Sequence, residues 1–211
     1  MKIKRFEFNM FPVNCYVLYD ETGEAVVIDA GCYYSQEGQA LKDFVADNGL
    51  RIVRLLNTHL HPDHIYGNAF MLKQFGLKAY AHSAEEFLLK GAATLSRMFG
   101  VPMTEPMPEL GGHIEDGDEV SFGKTRLEAI LVPGHSPGGL CYYCADDGCL
   151  FSGDVLFQGS IGRADLPGGD YEQLIQHVHS RLLVLPDETM VYPGHGAATN
   201  IGWEKRYNPY L

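Results

Sequence analysis

The stretch Ile52-Val53-Arg54-Leu55-Leu56-Asn57-Thr58-His59-Leu60-His61-Pro62-Asp63-His64 decides how the rest of the chain is read. Its opening residues form a short, bounded run rich in Ile, Val and Leu, the pattern of a buried strand. Three histidines and an aspartate then fall within residues 59–64. Polar clusters that begin where a strand ends are common sites of ligands and catalytic groups in layered α/β folds. His59 and His61, two apart in extended chain, aim their imidazoles to one side. Pro62 pre-sets φ for a first helical turn, so Asp63 and His64 open a helix and point elsewhere. This geometry suits two adjacent metal ions better than one. Without metal, three imidazoles this close repel when protonated and need many partners when buried. The alternative, a polar helix start whose histidines merely cluster, leaves those demands unanswered.

One loop supplies too few ligands, and three further residues stand at the ends of apolar runs. His135 follows residues 127–132 in Pro133-Gly134-His135-Ser136-Pro137, Asp154 follows 149–152 in Ser152-Gly153-Asp154, and His195 follows 189–192 in Pro193-Gly194-His195-Gly196. Each reads as strand, Gly-containing turn, ligand. His82, His113, His177 and His179 lack that setting, and the last two lie two apart on an expected helix, so they share no face. They read as structural or solvated. Asp29, at the end of a strand over 24–28, is either a strand-end turn former or a carboxylate that orients a ligand histidine.

The pattern H-x-H-x-D-H followed by single His, Asp and His residues at strand ends resembles the metallo-β-lactamase superfamily. More narrowly, Gly153-Asp154-Val155-Leu156-Phe157 with Gly159-Ser160-Ile161-Gly162-Arg163 is similar to the short type II glyoxalases, the hydroxyacylglutathione hydrolases. The resemblance covers nearly the whole chain. It implies one metal on His59, His61 and His135 and a second on Asp63, His64 and His195. Asp154 would bridge both, with Asp63 and Asp154 serving catalysis as well as ligation. Imidazole and carboxylate donors suit Zn²⁺, and also Fe and Mn.

Two divalent ions about 3.5–4 Å apart can share a water and lower its pKa toward ~7, and together stabilise an oxyanion. A thiolate leaving group departs with little need for an acid. The resemblance therefore implies hydrolysis of glutathione thioesters such as S-D-lactoylglutathione. Persulfide dioxygenases resemble the chain as well; there one Fe(II) uses two histidines and a carboxylate, corresponding to His59, His135 and Asp154. The Gly159–Gly162 and 166–170 segments are closer to the short glyoxalases. Asp154 stands where the lactamases usually place a cysteine. Arg163, nine residues after Asp154, matches a basic residue that contacts glutathione in the long glyoxalases. It is expected to clamp a substrate carboxylate, with an ion pair to Asp165 or Asp170 as the alternative. Ala197 replaces the tyrosine those enzymes carry two residues beyond the last metal histidine.

Sixteen basic against 27 acidic residues give a net charge of −11, which excludes a nucleic-acid surface. The chain has 45% hydrophobic and 20% charged residues, the balance of a globular protein with a core. No run approaches the ~18 apolar residues of a membrane span, and the N-terminus lacks a signal-peptide core. Cytoplasmic location with reduced thiols is expected. The five cysteines include Cys141 and Cys144 at zinc-knuckle spacing; on a strand, residues three apart face opposite sides, so a packing role is expected.

Periodicity predicts strands over 2–8, 14–19, 24–28, 52–56, 78–82, 119–122, 125–132, 140–144, 149–152 and 189–192. Helices are expected over 36–48, 65–75 and 171–185, with a further one capped by Ser83 in a box with Glu86. Residues 102–112, rich in Pro and Gly, read as a linker or lid, and a short tail holds Trp203. Strands with interleaved helices in each half, about 1–100 and 113–211, predict two packed sheets with helices outside. The resemblance sharpens this to one α/β domain, an αββα sandwich with metals at one edge.

Overall fold

The computed structural model describes residues 1–211. The first sheet follows chain order: β1 (Lys2–Phe8), β2 (Val13–Tyr19), β3 (Glu24–Ile28), β4 (Arg51–Leu56), β5 (Ala79–Ala81) and β6 (Gly112–His113). Pairing is antiparallel from β1 to β3 and parallel from β3 to β6. Parallel neighbours need crossovers, supplied by α1 (Ser35–Asp47), the single turn α2 (Pro62–Ile65) with α3 (Asn68–Phe75), and α4 (Glu86–Met98).

The second sheet contains β7 (Glu119–Phe122), β8 (Thr125–Leu131), β9 (Leu140–Cys144) and β10 (Cys149–Gly153). After a small ribbon of β11 (Leu156–Phe157) and β12 (Ser160–Ile161), and helix α5 (Tyr171–His177), come β13 (Met190–Pro193), β14 (Thr199–Asn200) and α6 (Ile201–Tyr207). Its order is β14-β13-β10-β9-β8-β7. β10 and β13 are parallel, so both end at the same edge.

Alternation divides the strands between layers. Tyr16, Leu18, Val26, Ile28 and Leu56 meet Phe122, Leu127, Tyr142 and Phe151 between the sheets. Cys15, Val17, Ala25 and Val27 face outward onto Leu41, Val45 and Met71 of α1 and α3. On the far side Ile130, Leu150 and Val191 pack on Leu174, Val178 and Leu182. The layers run helix, sheet, sheet, helix, as expected. Cys141 belongs to the outer layer and Cys144 to the inner one, so the two thiols point apart.

Several local expectations are corrected. The helix expected over 65–75 begins at Asn68, because the chain breaks at Gly67 after α2; a Cβ there would strike the Ala30 carbonyl and Cys32. Ser83 is no cap. The His82 ring accepts from Ala84 N instead, and Glu86 turns to His113. The helix expected over 171–185 ends at Leu182, its last turn widened to a π-helix. The loop after α4 closes with Gly112–His113 paired to β5, and the Trp203 tail is helical.

Candidate metal centre

The quoted loop leaves β4 at Leu56 and is fastened to the second sheet by its own backbone. Leu140 N donates to Thr58 O at 2.8 Å, and Tyr142 Oη donates to Asn57 O at 3.0 Å. From the opposite sheet, the loop after β8 brings His135, the end of β10 brings Asp154, and the end of β13 brings His195. Gly194 N donates to Gly153 O at 2.7 Å, which locks the last two turns together. A Cβ on Gly194 would run into Asp154 Oδ1 and His64 Cε1; only glycine lets these groups converge.

The predicted residues gather in two trios, and within each trio the donor atoms lie within 4.8 Å of one another. In the first, His61 Nδ1 is 2.9 Å from His135 Nε2, which is 3.2 Å from His59 Nε2. In the second, Asp63 Oδ2 lies 3.6 Å from His64 Nε2 and 3.2 Å from His195 Nε2. Two ligands at ~2.0–2.1 Å from one tetrahedral ion stand roughly 3.3 Å apart, the spacing seen in both trios. Asp154 joins them: Oδ1 is 3.3 Å from His64 Nε2, and Oδ2 is 3.7 Å from His135 Nε2 and 3.5 Å from His195 Nε2.

The groups behind the donors fix which ring nitrogens are free. Asp29 accepts from Thr58 N at 2.8 Å, from Thr58 Oγ1 at 2.6 Å and from His64 Nδ1 at 2.9 Å. Because the Thr58 hydroxyl donates to Asp29, it accepts from His59 Nδ1 at 3.0 Å. His135 Nδ1 donates to the Arg163 carbonyl at 2.7 Å. The Nε2 lone pairs of His59 and His135 therefore face each other, a repulsive arrangement that a cation between them relieves. His64 Nε2 and Asp154 Oδ1, close but misaligned, are buried without hydrogen-bond partners. This donor set fits metal ions. Asp29 holds the left-handed region, φ 53°, and acts as the orienting carboxylate.

Electrostatics separates the trios. Burial drives His59 well below the usual histidine range, with neighbouring imidazoles adding to it, and pushes His61 down to about 3; His135 is lowered too. Burial opposes charge on His64 as well, but Asp154, Asp63 and Asp29 hold it well above the usual value. His195 is raised against burial by Asp63 and Asp154. Asp154 is itself held well below the carboxylate range by His64 and its neighbours, against burial.

Above the trios lies a cavity of about 380 Å³ lined by Phe11, Tyr66, Phe99, Arg163 and Leu166, with the ligand candidates at its floor. Arg163 reaches its wall, and its guanidinium is paired with Asp165 at 2.6 and 2.8 Å, the alternative partner foreseen from sequence. A larger groove of about 540 Å³, between Glu86 and His113, lies away from the trios. His177, half-buried on α5, and His179, exposed on its extension, lie outside both trios. Sequence reasoning missed Thr58, Glu85 and the carbonyls of Arg163 and Pro12, the last accepting from His195 Nδ1 at 3.3 Å. Backbone acceptors leave no trace in residue identity. Thr58 was legible only as a hydroxyl beside His59.

The profile of the metallo-beta-lactamase superfamily matches residues 9–195. Hydroxyacylglutathione hydrolase GloC of Haemophilus influenzae is 35% identical over 213 residues, covering 100% of this chain and 98% of that protein. The mitochondrial persulfide dioxygenase ETHE1 of Bos taurus is 32% identical over 209 residues, 95% of this chain and 73% of that one. Among solved structures, BLEG-1 B3 metallo-beta-lactamase matches with TM-score 0.88 and 36% identity, covering 100% of this chain and 99% of the other. TTHA1623 in a di-iron-bound form matches with TM-score 0.87 and 35% identity, over 99% and 100% of the two chains.

Proposed function

The chain belongs to the metallo-beta-lactamase superfamily, and from that premise we propose that it hydrolyses glutathione thioesters such as S-D-lactoylglutathione at a two-metal centre. One ion is assigned to His59, His61 and His135 and the other to Asp63, His64 and His195, with Asp154 between them. The observation that carries this reading is the Asp154 carboxylate, whose oxygens lie 3.3–3.7 Å from donors of both trios. Divalent ions bound there supply Lewis acidity and a water acidified toward neutral pH; Zn²⁺ is the proposed ion, and Fe or Mn suits the same donors.

The protein's own groups then do the positioning. Asp29 holds the tautomer of His64, Thr58 that of His59, the Arg163 carbonyl that of His135 and the Pro12 carbonyl that of His195, so the Nε2 of these four rings is left free. Phe11, Phe99 and Leu166 give the cavity an apolar wall that screens the reacting carbonyl from bulk water. The Arg163 side chain, 55% exposed, exchanges Asp165 for a substrate carboxylate. The thiolate leaves without a proton donor.

A second reading is favoured by the likeness to the persulfide dioxygenase: a single iron on His59, His135 and Asp154. Metal analysis of the purified protein, run beside thioester-hydrolysis and oxygen-uptake assays, separates the two. Two metals with hydrolysis and no oxygen uptake support the proposal. One iron with persulfide-dependent oxygen consumption overturns it. A β-lactam belongs in the same panel because of the likeness to BLEG-1.

A further inference from the structure

Glu85 is wholly buried, at 0% exposure, and no step of the proposed reaction uses it. It ends the 3₁₀ turn Ser83–Glu85 that precedes α4. Its Oε2 accepts from Leu60 N at 2.8 Å, and its Oε1 accepts from Gly138 N at 2.7 Å. Leu60 stands between His59 and His61, and Gly138 lies three residues beyond His135. One carboxylate therefore joins the two segments that together make up the first trio. Those segments come from opposite sheets, so this bond pair spans the seam across which the trio is assembled.

The packing leaves the clamp no slack. A Cβ on Gly138 would press on Glu85 Cγ and His82, so glycine is what lets the loop approach so closely. Burial pushes the Glu85 carboxyl up, against the lowering pull of Leu60, Ser136 and Gly138. A buried carboxylate with no cationic partner is costly, and each of its oxygens accepts from a backbone donor, whereas a carboxamide of the same shape offers only one acceptor oxygen. No bond from Glu85 reaches the Asp63, His64 or His195 segments; those are fastened by Asn9, which donates to Asp63 O at 3.0 Å, and Asn14, which donates to the Pro193 and Gly196 carbonyls at 2.9 and 3.0 Å.

We propose that Glu85 is a positioning residue that sets the separation of the His59–His61 loop from the His135 loop, and so the metal affinity of the first trio alone. This rests on the metal reading of that trio. Gln in its place keeps one acceptor but turns an NH₂ donor toward the other backbone N–H.

The test is Co²⁺ titration, followed by its absorption bands, in two backgrounds. In His195→Ala protein, where the first trio remains, adding Glu85→Gln should weaken Co²⁺ binding about 10–100-fold, the effect of losing a group that orients metal ligands, and shift the bands. In His135→Ala protein, where the second trio remains, the same change should leave affinity and spectrum alone. Equal weakening in both backgrounds, or none in either, overturns the clamp. If Glu85→Gln does not fold, Glu85→Asp, which keeps the charge but cannot span both loops, carries the same comparison. Parent protein that takes up no Co²⁺ would overturn the metal reading itself, whereas unchanged binding in the Gln variant would sink only the clamp.

Discussion

The two trios share a carboxylate and differ in nearly everything else. The first is three imidazoles, all buried and all driven toward the neutral form by burial and by one another. The second mixes a carboxylate with two imidazoles whose proton affinity acidic neighbours raise against burial, and its His195 side chain is 27% exposed. The first is braced by Thr58, the Arg163 carbonyl and Glu85. The second leans on Asp29 behind His64 and a 3.3 Å bond to Pro12 behind His195, with Asn9 and Asn14 fastening the Asp63 and His195 loops. Neutral imidazoles in a dry site offer lone pairs with little charge, so that site needs geometry to hold a cation. A carboxylate supplies charge directly. The first trio relies on shape alone, whereas the second adds a carboxylate's charge.

The largest test of that contrast is Asp154→Ala, which removes the one group shared by both trios. Metal content should fall at both, and thioester turnover with it, while His177→Ala and His179→Ala leave the metal in place. Equal loss in all three variants would dissolve the assignment. Next comes Asp29→Asn, which tolerates the left-handed backbone at φ 53° but turns an NH₂ toward Thr58 or His64. Affinity should drop about 10–100-fold, most at His64 and, through Thr58, also at His59. A loss confined to the second trio would show that the Thr58 relay carries nothing.

A smaller effect is expected from His195→Ala: one ion lost, the other retained, with stoichiometry measured on the purified variant. Loss of both ions would mean the trios are not independent. Arg163→Ala should be milder again. It keeps the carbonyl that orients His135, so metal content should hold while KM for glutathione thioesters rises about 5–150-fold, the equivalent of roughly 1–3 kcal/mol. Small neutral thioesters should be hydrolysed as before, and equal damage to both substrate classes would make Arg163 structural. The least effect on the centre is expected from Cys141→Ser and Cys144→Ser, whose thiols lie in opposite layers. Metal should stay, with roughly 1–3 kcal/mol of stability at stake from burying a hydroxyl. A stoichiometric metal lost from either folded variant would revive a thiolate site.

How much was legible follows the range of the forces involved. The strands and the sandwich could be read because alternation and apolar runs are local signals, and because His59, His61, Asp63 and His64 share one short loop. Helix starts were read less well. Ser83 and Glu86 spell a capping box, yet His82 caps the turn and Glu85 is drawn into the seam between sheets, since a buried backbone N–H left without an acceptor costs more than a lost surface cap.

From sequence alone came the residue types that can bind metal, their strand-end settings, the kinship with a superfamily and the layered fold. Which residue meets which was decided only in three dimensions. His135, Asp154 and His195 are 19 and 41 residues apart in the chain, by subtraction of their numbers, and parallel pairing of β10 with β13 brings the last two to one edge. The Arg163 guanidinium pairs with Asp165 while its carbonyl orients His135. Carbonyls, tautomers and the spacing of loops across a seam are set by hydrogen bonds between distant segments. Any residue type carries the same backbone carbonyl, so no reading of side chains could have found them.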